Sequence, residues 1–483
     1  MARALVWFRR DLRVADNPAL HAALEAGLVP VPVYIHDEPA GPWPLGAASA
    51  WWLHHSLAEL HRSLRALGSR LLITRGDSEA ELLRLCRAFD ASHVFWNRLY
   101  EPYSVQRDAR IKTRLRTAGL AVKSCNGRLL CEPHELLKAD GTPYRVFTPF
   151  WKGLQKYGPV RDPLPAPRSL PAPAHADNDA LRIEELALLP AIPWYRGFAD
   201  HWQPGETGAR RALQQFCADG LPDYPDDRDR PALAGTSRLS AHLHFGELSP
   251  QQAWHAAQQE AATRTQPGLL AASESWLRQL AWREFGHHLL YHFPATTDQP
   301  MDARFAAFRW RSDYSQDLYC WQRGHTGIPI VDAGMRELWA SGWMHNRVRM
   351  IAASLLTKNL LIPWQEGARW FWDTLVDADL ANNTLGWQWT AGCGVDAAPF
   401  FRIFNPVRQG ERFDPDGSYV RRWVPELRGL PAEWLHQPWA APGEVLDKAG
   451  VALAENYPQP LVDLQHSRAQ ALAEWGRIKN GAH

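Results

Sequence analysis

The sequence predicts an N-terminal α/β domain with a doubly wound parallel sheet, followed by a larger all-helical domain. Short apolar runs alternate with amphipathic stretches over the first 130 residues, which is typical of βαβ units. From about residue 205 onward, patterns with the helical period dominate. A length of 483 residues exceeds what one hydrophobic core usually needs, which also favours two domains.

The first 130 residues supply the strands and helices of the predicted sheet domain. Five apolar runs are predicted as strands, at 4–8, 29–35, 70–74, 92–96 and 120–124. Four stretches with helical periodicity lie between them, at 17–26, 47–67, 78–88 and 103–118. This alternation favours a Rossmann-like parallel sheet. No G-x-G-x-x-G follows the first strand, so a standard dinucleotide site is not predicted.

A proline-rich segment divides the chain. Six prolines lie between residues 159 and 173, a composition typical of a linker that runs over the protein surface. We therefore predict an α/β domain over residues 1–130, a connector over 131–204 and a helical domain over 205–475. Within the helical domain, residues 272–291 and 342–362 are the two long candidate helices.

Composition and charge limit the classes of function. Charged residues make up 22% and hydrophobic residues 46% of the chain, and no apolar run is long enough to span a bilayer. The N-terminus lacks the pattern of a secretory or twin-arginine signal. The net charge of +1 excludes a globally basic protein, although a local basic face would still bind DNA. The six cysteines form no C-x-x-C pair, so we expect reduced thiols, no metal site and a cytoplasmic protein.

Tryptophan is unusually frequent, with 24 residues, and one segment combines it with polar groups. Residues 377–389 read DADLANNTLGWQW, with two acids, two adjacent asparagines and a Trp-x-Trp pair. Polar groups of this kind are costly in a dry core without partners. Indoles stack on bases and can lose one electron, so the segment indicates a redox cofactor, an aromatic ligand, or both.

Helical spacing groups further aromatic and polar residues into two stripes. The stripes are Trp276, Gln279 and Trp282 in the candidate helix at 272–291, and Trp343, Asn346, Arg349 and Met350 in that at 342–362. Taken alone, such a stripe is more often core packing than a ligand site. The polar members favour a ligand, because burying Gln279, Asn346 or Arg349 without partners would be costly.

Seven segments show a resemblance to a known family. They are WFRRDLRVADNPAL at 7–20, GTSRLSAHLHFGELSP at 235–250, LAWREF at 280–285, GHTGIPIVDAGMR at 324–336, GWMHNRVRM at 342–350, DADLANNTLGWQW at 377–389 and AAPFFRIFNP at 397–406. In order and content they resemble the DNA photolyase/cryptochrome family, and specifically class I cyclobutane pyrimidine dimer (CPD) photolyases. The resemblance covers nearly the whole chain.

The resemblance implies FAD as the cofactor, bound in the helical domain. The residues expected around its phosphates and ribityl chain are Tyr224, Thr236, Ser237, Arg238, Leu239 and Ser240. Those expected to line the isoalloxazine ring are Trp276, Trp343, Asn346, Arg349, Asp377 and Asp379. Arg349 and Asp377 would form an ion pair beside the ring. Asn383 would face flavin N5, where a neutral amide accepts the N5–H without adding charge.

The resemblance also implies that UV-damaged DNA is the substrate, with the pyrimidine dimer flipped out of the duplex into a cavity over the flavin. Trp282 and Trp389 match the family's two stacking tryptophans. Asn346 and Met350 would complete the pocket. The arginines expected to hold backbone phosphates are Arg228, Arg347 and Arg402.

A third implication is a chain of tryptophans that carries electrons to a photoexcited, oxidised flavin. The matching residues are Trp387, Trp364 and Trp310. If packing is their only role, their substitution changes stability but not photoreduction.

The chain departs from class I at Gln279, where most class I members have a glutamate. The family's carboxylic acid hydrogen-bonds a dimer carbonyl and can supply a proton, whereas glutamine keeps a donor but supplies no proton. We therefore expect dimer repair with a reduced yield per photon. Glutamine at this place also occurs in (6-4) photolyases, but those have two histidines where this chain has Asn346 and Met350.

Together these features imply a carbon–carbon lyase of the deoxyribodipyrimidine photo-lyase type, in which photoexcited FADH⁻ passes one electron to a flipped-out dimer. We expect a monomer that binds no membrane and needs no protein partner. The alternatives are a cryptochrome blue-light receptor and a (6-4) photolyase. A second, antenna chromophore remains open: the folate-associated Asn-Glu pair is missing, and Glu101-Pro102-Tyr103 is more similar to members with a deazaflavin or flavin antenna.

Overall fold

The computed structural model describes residues 2–37, 41–158, 160–172, 180–396 and 401–481. The chain divides into two compact units. The first unit comprises Met1–Pro193, Ala199–Pro222 and Ser237–Pro294, and the second comprises Trp194–Phe198, Asp223–Thr236 and Ala295–His483.

A five-stranded parallel sheet forms the N-terminal part of the first unit. Its strands are β1 (Arg3–Phe8), β2 (Val29–His36), β3 (Leu72–Arg75), β4 (Ala91–Asn97) and β5 (Ala121–Cys125). Their order is β3-β2-β1-β4-β5, and every neighbouring pair is parallel. The chain therefore reverses its direction of winding between β3 and β4, and the predicted doubly wound sheet is confirmed.

Four helices connect the strands of this sheet. They are α1 (Pro18–Glu25), α2 (Ala47–Ala66), α3 (Ser78–Ala88) and α4 (Pro102–Thr117). Asn17 caps α1 and Asp77 caps α3, each accepting a hydrogen bond from a backbone N–H three residues on. Pro18 and Pro102 stand in the first helical turn, where no backbone donor is needed. The sequence signals for these helix starts are thus local.

Apolar side chains of the strands and helices form the core of this sheet domain. Trp7 of β1 and Trp96 of β4 are almost fully buried, and their rings meet edge to face at 5.9 Å. Leu5, Val33 and Val94 are completely buried around them. A parallel sheet covered on both faces explains why the strands appear in the sequence as continuous apolar runs.

The remainder of the described chain is helical. After α5 (Phe147–Tyr157) the helices are α6 (Phe198–His201), α7 (Glu206–Gln215), α8 (Tyr224–Asp227), α9 (Ser240–Phe245), α10 (Pro250–Thr263), α11 (Leu269–His292), α12 (Ser315–Arg323), α13 (Pro329–Ser341), α14 (Asn346–Ser354), α15 (Trp364–Thr374), α16 (Leu380–Ala391), α17 (Pro406–Phe413), α18 (Ser418–Trp423), α19 (Ala432–Leu435), α20 (Gly443–Ala449) and α21 (Leu464–Asn480). Helices α7, α9, α10 and α11 belong to the first unit, whereas α8 and α12 to α21 belong to the second.

The proline-rich segment belongs to the first unit, and its described residues 160–172 form no helix or strand. Backbone hydrogen bonds join this segment and the residues after it to the sheet domain: the Leu170 N–H donates to the Leu67 carbonyl at 2.6 Å, and the Leu181 N–H donates to the Ile73 carbonyl at 2.7 Å. The predicted domain limits at residues 130 and 204 remain predictions.

Predicted and observed elements agree closely in the sheet domain. All five strands and four helices there lie within two residues of the predicted limits. The predicted helix at 342–362 is wrong, because Gly342 has a left-handed backbone (φ 68°) and His345 caps a helix that starts only at Asn346. A π-helical turn, Leu355–Asn359, follows this helix.

Buried arginines of the sheet domain bind the end of helix α9. Arg13 is fully buried, and its guanidinium donates to the backbone oxygens of Asp16, Gly127 and Gly246. Arg128 donates to the backbone oxygens of Arg10 and His244 at 2.7 and 2.9 Å. Carbonyl groups at the end of α9, which have no helical partner, are therefore satisfied by side chains from outside the helix.

No helix in the described part of the chain combines the length and the apolar composition that crossing a membrane requires.

We predict that Arg13→Lys lowers the free energy of unfolding by about 3 kcal/mol, because an ammonium group cannot reproduce the planar guanidinium fork and leaves buried carbonyls unsatisfied. Denaturant unfolding of the full chain measures the change. Arg10→Lys is the matched control: Arg10 is partly exposed and pairs with Glu101, so its loss should cost less than about 1 kcal/mol. An equal effect of both substitutions would contradict the structural role of Arg13.

Candidate functional site

The acid–asparagine segment forms the start of helix α16. Asp379 is its N-cap, with Oδ1 accepting hydrogen bonds from the backbone and the side chain of Asn382 at 3.0 and 2.9 Å. Gly392 ends the helix with a left-handed backbone (φ 85°). One acid of the segment therefore holds the helix start in place.

Asn383 is oriented by a contact with the neighbouring helix α15. Its side-chain Nδ2 donates to the Ala368 carbonyl at 3.0 Å. Because a carbonyl can only accept, this bond fixes which end of the amide faces α15. The Oδ1 acceptor is turned away from that carbonyl, and the side chain is half-buried. The Oδ1 atom is therefore a half-buried, neutral hydrogen-bond acceptor.

Trp387, one turn after Asn383, is tightly enclosed. Its indole lies against Gly367 of α15, where a Cβ atom would come within 2.0 Å of the ring. Phe371 and Trp321 are its aromatic neighbours, with ring centroids 5.0 and 6.2 Å away. Only glycine at position 367 allows this approach.

The other two tryptophans of the predicted electron-transfer chain have different surroundings. Trp364 is buried at the first residue of α15. Trp310 is half-buried and lies against Phe308 at a ring-centroid distance of 4.5 Å. Their order as a chain with Trp387 remains a prediction, and Trp321 is a direct neighbour of Trp387 that the sequence interpretation missed.

The expected ion pair between Arg349 and Asp377 is present. The guanidinium donates to Asp377 Oδ2 at 2.9 Å, and its Nε donates to the Met344 carbonyl at 2.7 Å. The Asp377 side chain is only 4% exposed, so the pair is poorly screened by solvent. Arg349 also lies 5.9 Å from the ring of Trp343, which precedes α14 instead of lying on it.

Helix α14 presents Asn346 and Met350 together. Asn346 is exposed, and its Nδ2 lies 3.8 Å from the Met350 sulfur one turn later. Between them, Arg347 points to other partners: it pairs with Asp229 at 2.8 Å and lies over the Phe413 ring at 4.5 Å. Arg347 is therefore partly neutralised within the second unit.

In the first unit, helix α11 carries Trp276, Gln279 and Trp282. Trp276 is buried against Phe216, with ring centroids 5.2 Å apart. Gln279 and Trp282 are half-buried. The Gln279 amide makes only a long contact of 3.5 Å with the Ser275 carbonyl, so it retains capacity for a further partner. The predicted stripe is thus present on one helix.

The loop before α9 is shaped by a strained residue. Arg238 has a left-handed backbone (φ 52°), which is unusual for a residue with a side chain, and its guanidinium lies over the Trp202 ring at 4.5 Å. Ser237 is half-buried and Ser240 is exposed, whereas Leu239 is buried. The two hydroxyls therefore lie on either side of a fixed turn.

The other predicted residues lie in the second unit. Tyr224 is buried at the start of α8, and the Arg228 guanidinium lies 5.2 Å from its ring. Thr236 is half-buried and Arg402 is exposed. Trp389 is half-buried, with its Nε1 donating to the Asp396 carbonyl at 3.1 Å. Residues 397–400 of the predicted AAPFFRIFNP segment lie outside the described residues.

Comparisons with known proteins show similarity along nearly the whole chain. Residues 4–169 match the family model of DNA photolyase, and residues 276–477 match that of the FAD binding domain of DNA photolyase. A deoxyribodipyrimidine photo-lyase of Agrobacterium fabrum is 48% identical over 99% of this chain and 98% of its own length. Cryptochrome-1 of Arabidopsis thaliana is 40% identical over 97% of this chain and 69% of its own length.

Solved structures of photolyases are also similar to this chain along nearly its whole length. A bacterial class III photolyase from Agrobacterium tumefaciens superimposes with a TM-score of 0.95 at 48% identity, covering 99% of this chain and 98% of its own. An archaeal photolyase from Sulfolobus tokodaii, solved with two FAD molecules, has a TM-score of 0.80 at 28% identity and covers 98% of this chain and 100% of its own.

His345 caps helix α14, with its Nδ1 accepting from the Arg347 backbone N–H at 3.2 Å. Burial lowers the pKa of His345 to about 4; Asp229 opposes this shift, and Arg347 and Arg349 add to it. Between pH 4 and the ordinary histidine value of about 6.5, the folded protein binds this proton less readily than the unfolded chain. The histidine therefore makes the free energy of unfolding rise with pH across that window.

We predict that His345→Asn removes this contribution, because asparagine caps a helix without titrating there. Between pH 4 and pH 7, the unfolding free energy of the variant should rise by about 2–3 kcal/mol less than that of the wild-type protein. Urea unfolding at several pH values measures both slopes. A slope in the variant equal to that of the wild-type protein would refute the prediction.

Proposed function

Because the chain belongs to the DNA photolyase and cryptochrome family, we propose that it repairs cyclobutane pyrimidine dimers in DNA in a light-dependent reaction. The observation that supports this substrate is the position of His345, the one histidine in residues 342–350. It is buried and serves as a helix cap, while the exposed Asn346 and the half-buried Met350 lie together on the same helix. A histidine pocket of the (6-4) type is therefore not supported at this helix.

In the second unit, the proposed contacts with the isoalloxazine ring come from α14, α16 and the segments before them. They are Trp343, Asn346, Arg349, Asp377, Asp379 and Asn383. FAD, when bound in its reduced form, supplies one electron after absorbing blue or near-UV light. The Asn383 Oδ1 would hold the N5–H, and the half-buried Arg349–Asp377 pair would fix the polar edge of the ring. Tyr224 and Thr236 would contact the phosphates and the ribityl chain.

In the first unit, the proposed cofactor contacts are Ser237, Arg238, Leu239, Ser240 and Trp276. The left-handed backbone of Arg238 bends the loop sharply. Successive backbone N–H groups in a bend of this kind can bind an anion. Trp276 supplies an apolar wall. These residue types fit a dinucleotide with a pyrophosphate and a flat ring system.

For the DNA, we propose that Trp282 of the first unit stacks on the flipped dimer and that Gln279 donates a hydrogen bond to it. For the second unit we propose Trp389 as a stacking residue and Asn346 and Met350 as further contacts with the dimer. Arg228, Arg347 and Arg402 would hold phosphates; Arg347 would first have to release Asp229, whereas Arg402 is already exposed. We further propose that Trp387, Trp364 and Trp310 relay electrons from the protein surface.

For the finer classification, we propose a different class from the one that the sequence favoured. The sequence interpretation favoured class I, whereas a class III photolyase is the solved structure with 48% identity. We therefore propose a class III type enzyme, with Gln279 in place of the class I glutamate. A second chromophore, as in the Sulfolobus tokodaii structure with its two FAD molecules, is part of this proposal. Mass spectrometry of the cofactors released on denaturation tests it.

A cryptochrome is the second candidate, supported by 40% identity with cryptochrome-1 of Arabidopsis thaliana. The two functions differ in one measurement: light-dependent repair by the reduced protein of oligonucleotides that carry either a thymine dimer or a (6-4) lesion. Repair of the dimer alone supports the proposal. Repair of the (6-4) lesion would instead support a (6-4) photolyase. If the flavin-loaded protein repairs neither lesion, the result supports the cryptochrome hypothesis.

We predict that Gln279→Glu increases the number of dimers repaired per absorbed photon. A carboxylic acid at this place can donate both a hydrogen bond and a proton, whereas the amide donates only the hydrogen bond. The measurement is the repair yield at matched light absorption, with dimer affinity determined separately in the dark. An unchanged or lower yield at unchanged affinity would show that position 279 supplies no proton.

A further inference from the structure

Trp282 has one ring face covered by a phenylalanine from another helix. Its indole and the ring of Phe147, the first residue of α5, are 3.8 Å apart at their centroids and only 6° from parallel. Phe147 is 2% exposed, whereas Trp282 is half-buried. A flat ligand that stacks on Trp282 can therefore use only the opposite face.

Neighbouring side chains hold this pair from two further directions. Phe285 meets both rings edge to face, at 6.0 Å from Phe147 and 5.8 Å from Trp282. Arg278 of α11, one turn before Trp282, places its guanidinium 5.7 Å from the Phe147 ring centre. Aromatic pairs left to themselves prefer offset or edge-to-face geometry. Centroids only 3.8 Å apart mean that the two rings overlap with little offset, and we attribute this overlap to the packing of α5 against α11.

An indole with one face covered by another ring is preorganised for stacking. An exposed tryptophan loses side-chain freedom when it binds, and that loss weakens binding. With Phe147 in place, the plane of Trp282 is set before any ligand arrives. Stacking of a base on an aromatic side chain contributes about 1–3 kcal/mol, and this contribution depends on the alignment of the ring.

We propose that Phe147 is a positioning residue that fixes the plane of Trp282 for stacking on the flipped pyrimidine dimer. The inference rests on the proposed function, because it takes Trp282 as a lesion-stacking residue. It assigns a role in lesion recognition to a residue outside the stripes and motifs found in the sequence.

The same helix offers a matched control. Phe150, one turn later on α5, is 1% exposed, and its ring contacts are with Tyr144, Phe285 and His288. It therefore belongs to the same core as Phe147 without forming the stack on Trp282. Phe→Leu at either position removes a buried ring of the same size.

The experiment compares Phe147→Leu with Phe150→Leu in the full-length, FAD-loaded protein. Thermal stability is measured together with the dissociation constants, in the dark, for an oligonucleotide with one thymine dimer and for its undamaged counterpart. We expect both variants to lose similar stability. Phe147→Leu should weaken dimer binding about 10-fold without changing undamaged-DNA binding, whereas Phe150→Leu should keep both constants within about two-fold. If the two variants lose dimer affinity equally, Phe147 has only a core role and the inference is overturned.

A double-mutant comparison with Trp282→Ala separates this inference from the function on which it rests. If Trp282→Ala weakens dimer binding and Phe147→Leu has no further effect in that background, the positioning role is supported. If Trp282→Ala weakens binding but Phe147→Leu alone does not, only the inference fails. If Trp282→Ala leaves dimer binding unchanged, the proposed stacking role itself fails. Phe147→Met, whose unbranched and flexible side chain adapts to the space left by the ring, serves the same comparison if Phe147→Leu does not fold.

Discussion

Burial of two guanidinium groups is the constraint on which the first unit depends. Arg13 and Arg128 come from loops of the sheet domain, yet they bind backbone carbonyls at the end of α9. An unpaired charge in the interior is strongly destabilising, and both guanidinium groups donate to backbone oxygens. This requirement ties α9, and with it the strained loop at Arg238, to the carboxyl end of the sheet. It also explains why the first unit extends beyond the proline-rich connector.

Polar residues near the candidate site divide into those with a structural task and those still able to bind. Asp379 and His345 both cap helices, with Asp379 Oδ1 and His345 Nδ1 each accepting a hydrogen bond from a backbone N–H. Asn383 and Gln279, in contrast, are half-buried and retain hydrogen-bonding capacity. The sequence alone does not distinguish these four residues. The structure does, because Asp379 and His345 are each engaged in a helix cap, whereas the two amides are not.

Local patterns predicted most of the fold but only part of the site. The strands and helices of the sheet domain follow from hydrophobic period and capping residues, which are properties of neighbouring positions. The helix at 342–362 was mispredicted because the conformation of Gly342 and the cap at His345 interrupt an otherwise continuous pattern. Ring contacts such as Trp282 with Phe147 join distant segments, so no periodicity reveals them. Motif resemblance found Trp282 and Trp387 but not the neighbours that orient them.

Trp387 and Trp282 have different surroundings, although both are tryptophans among the candidate site residues. Trp387 is almost fully buried, lies against Gly367 and has Phe371 and Trp321 as aromatic neighbours. Trp282 is half-buried, and one of its ring faces is covered by Phe147. Both indoles are aromatic and partly or fully buried, and composition alone treats them alike. The surroundings of the two rings therefore separate them: the enclosed Trp387 fits the proposed electron relay, and the half-buried Trp282 fits the proposed stacking on a base.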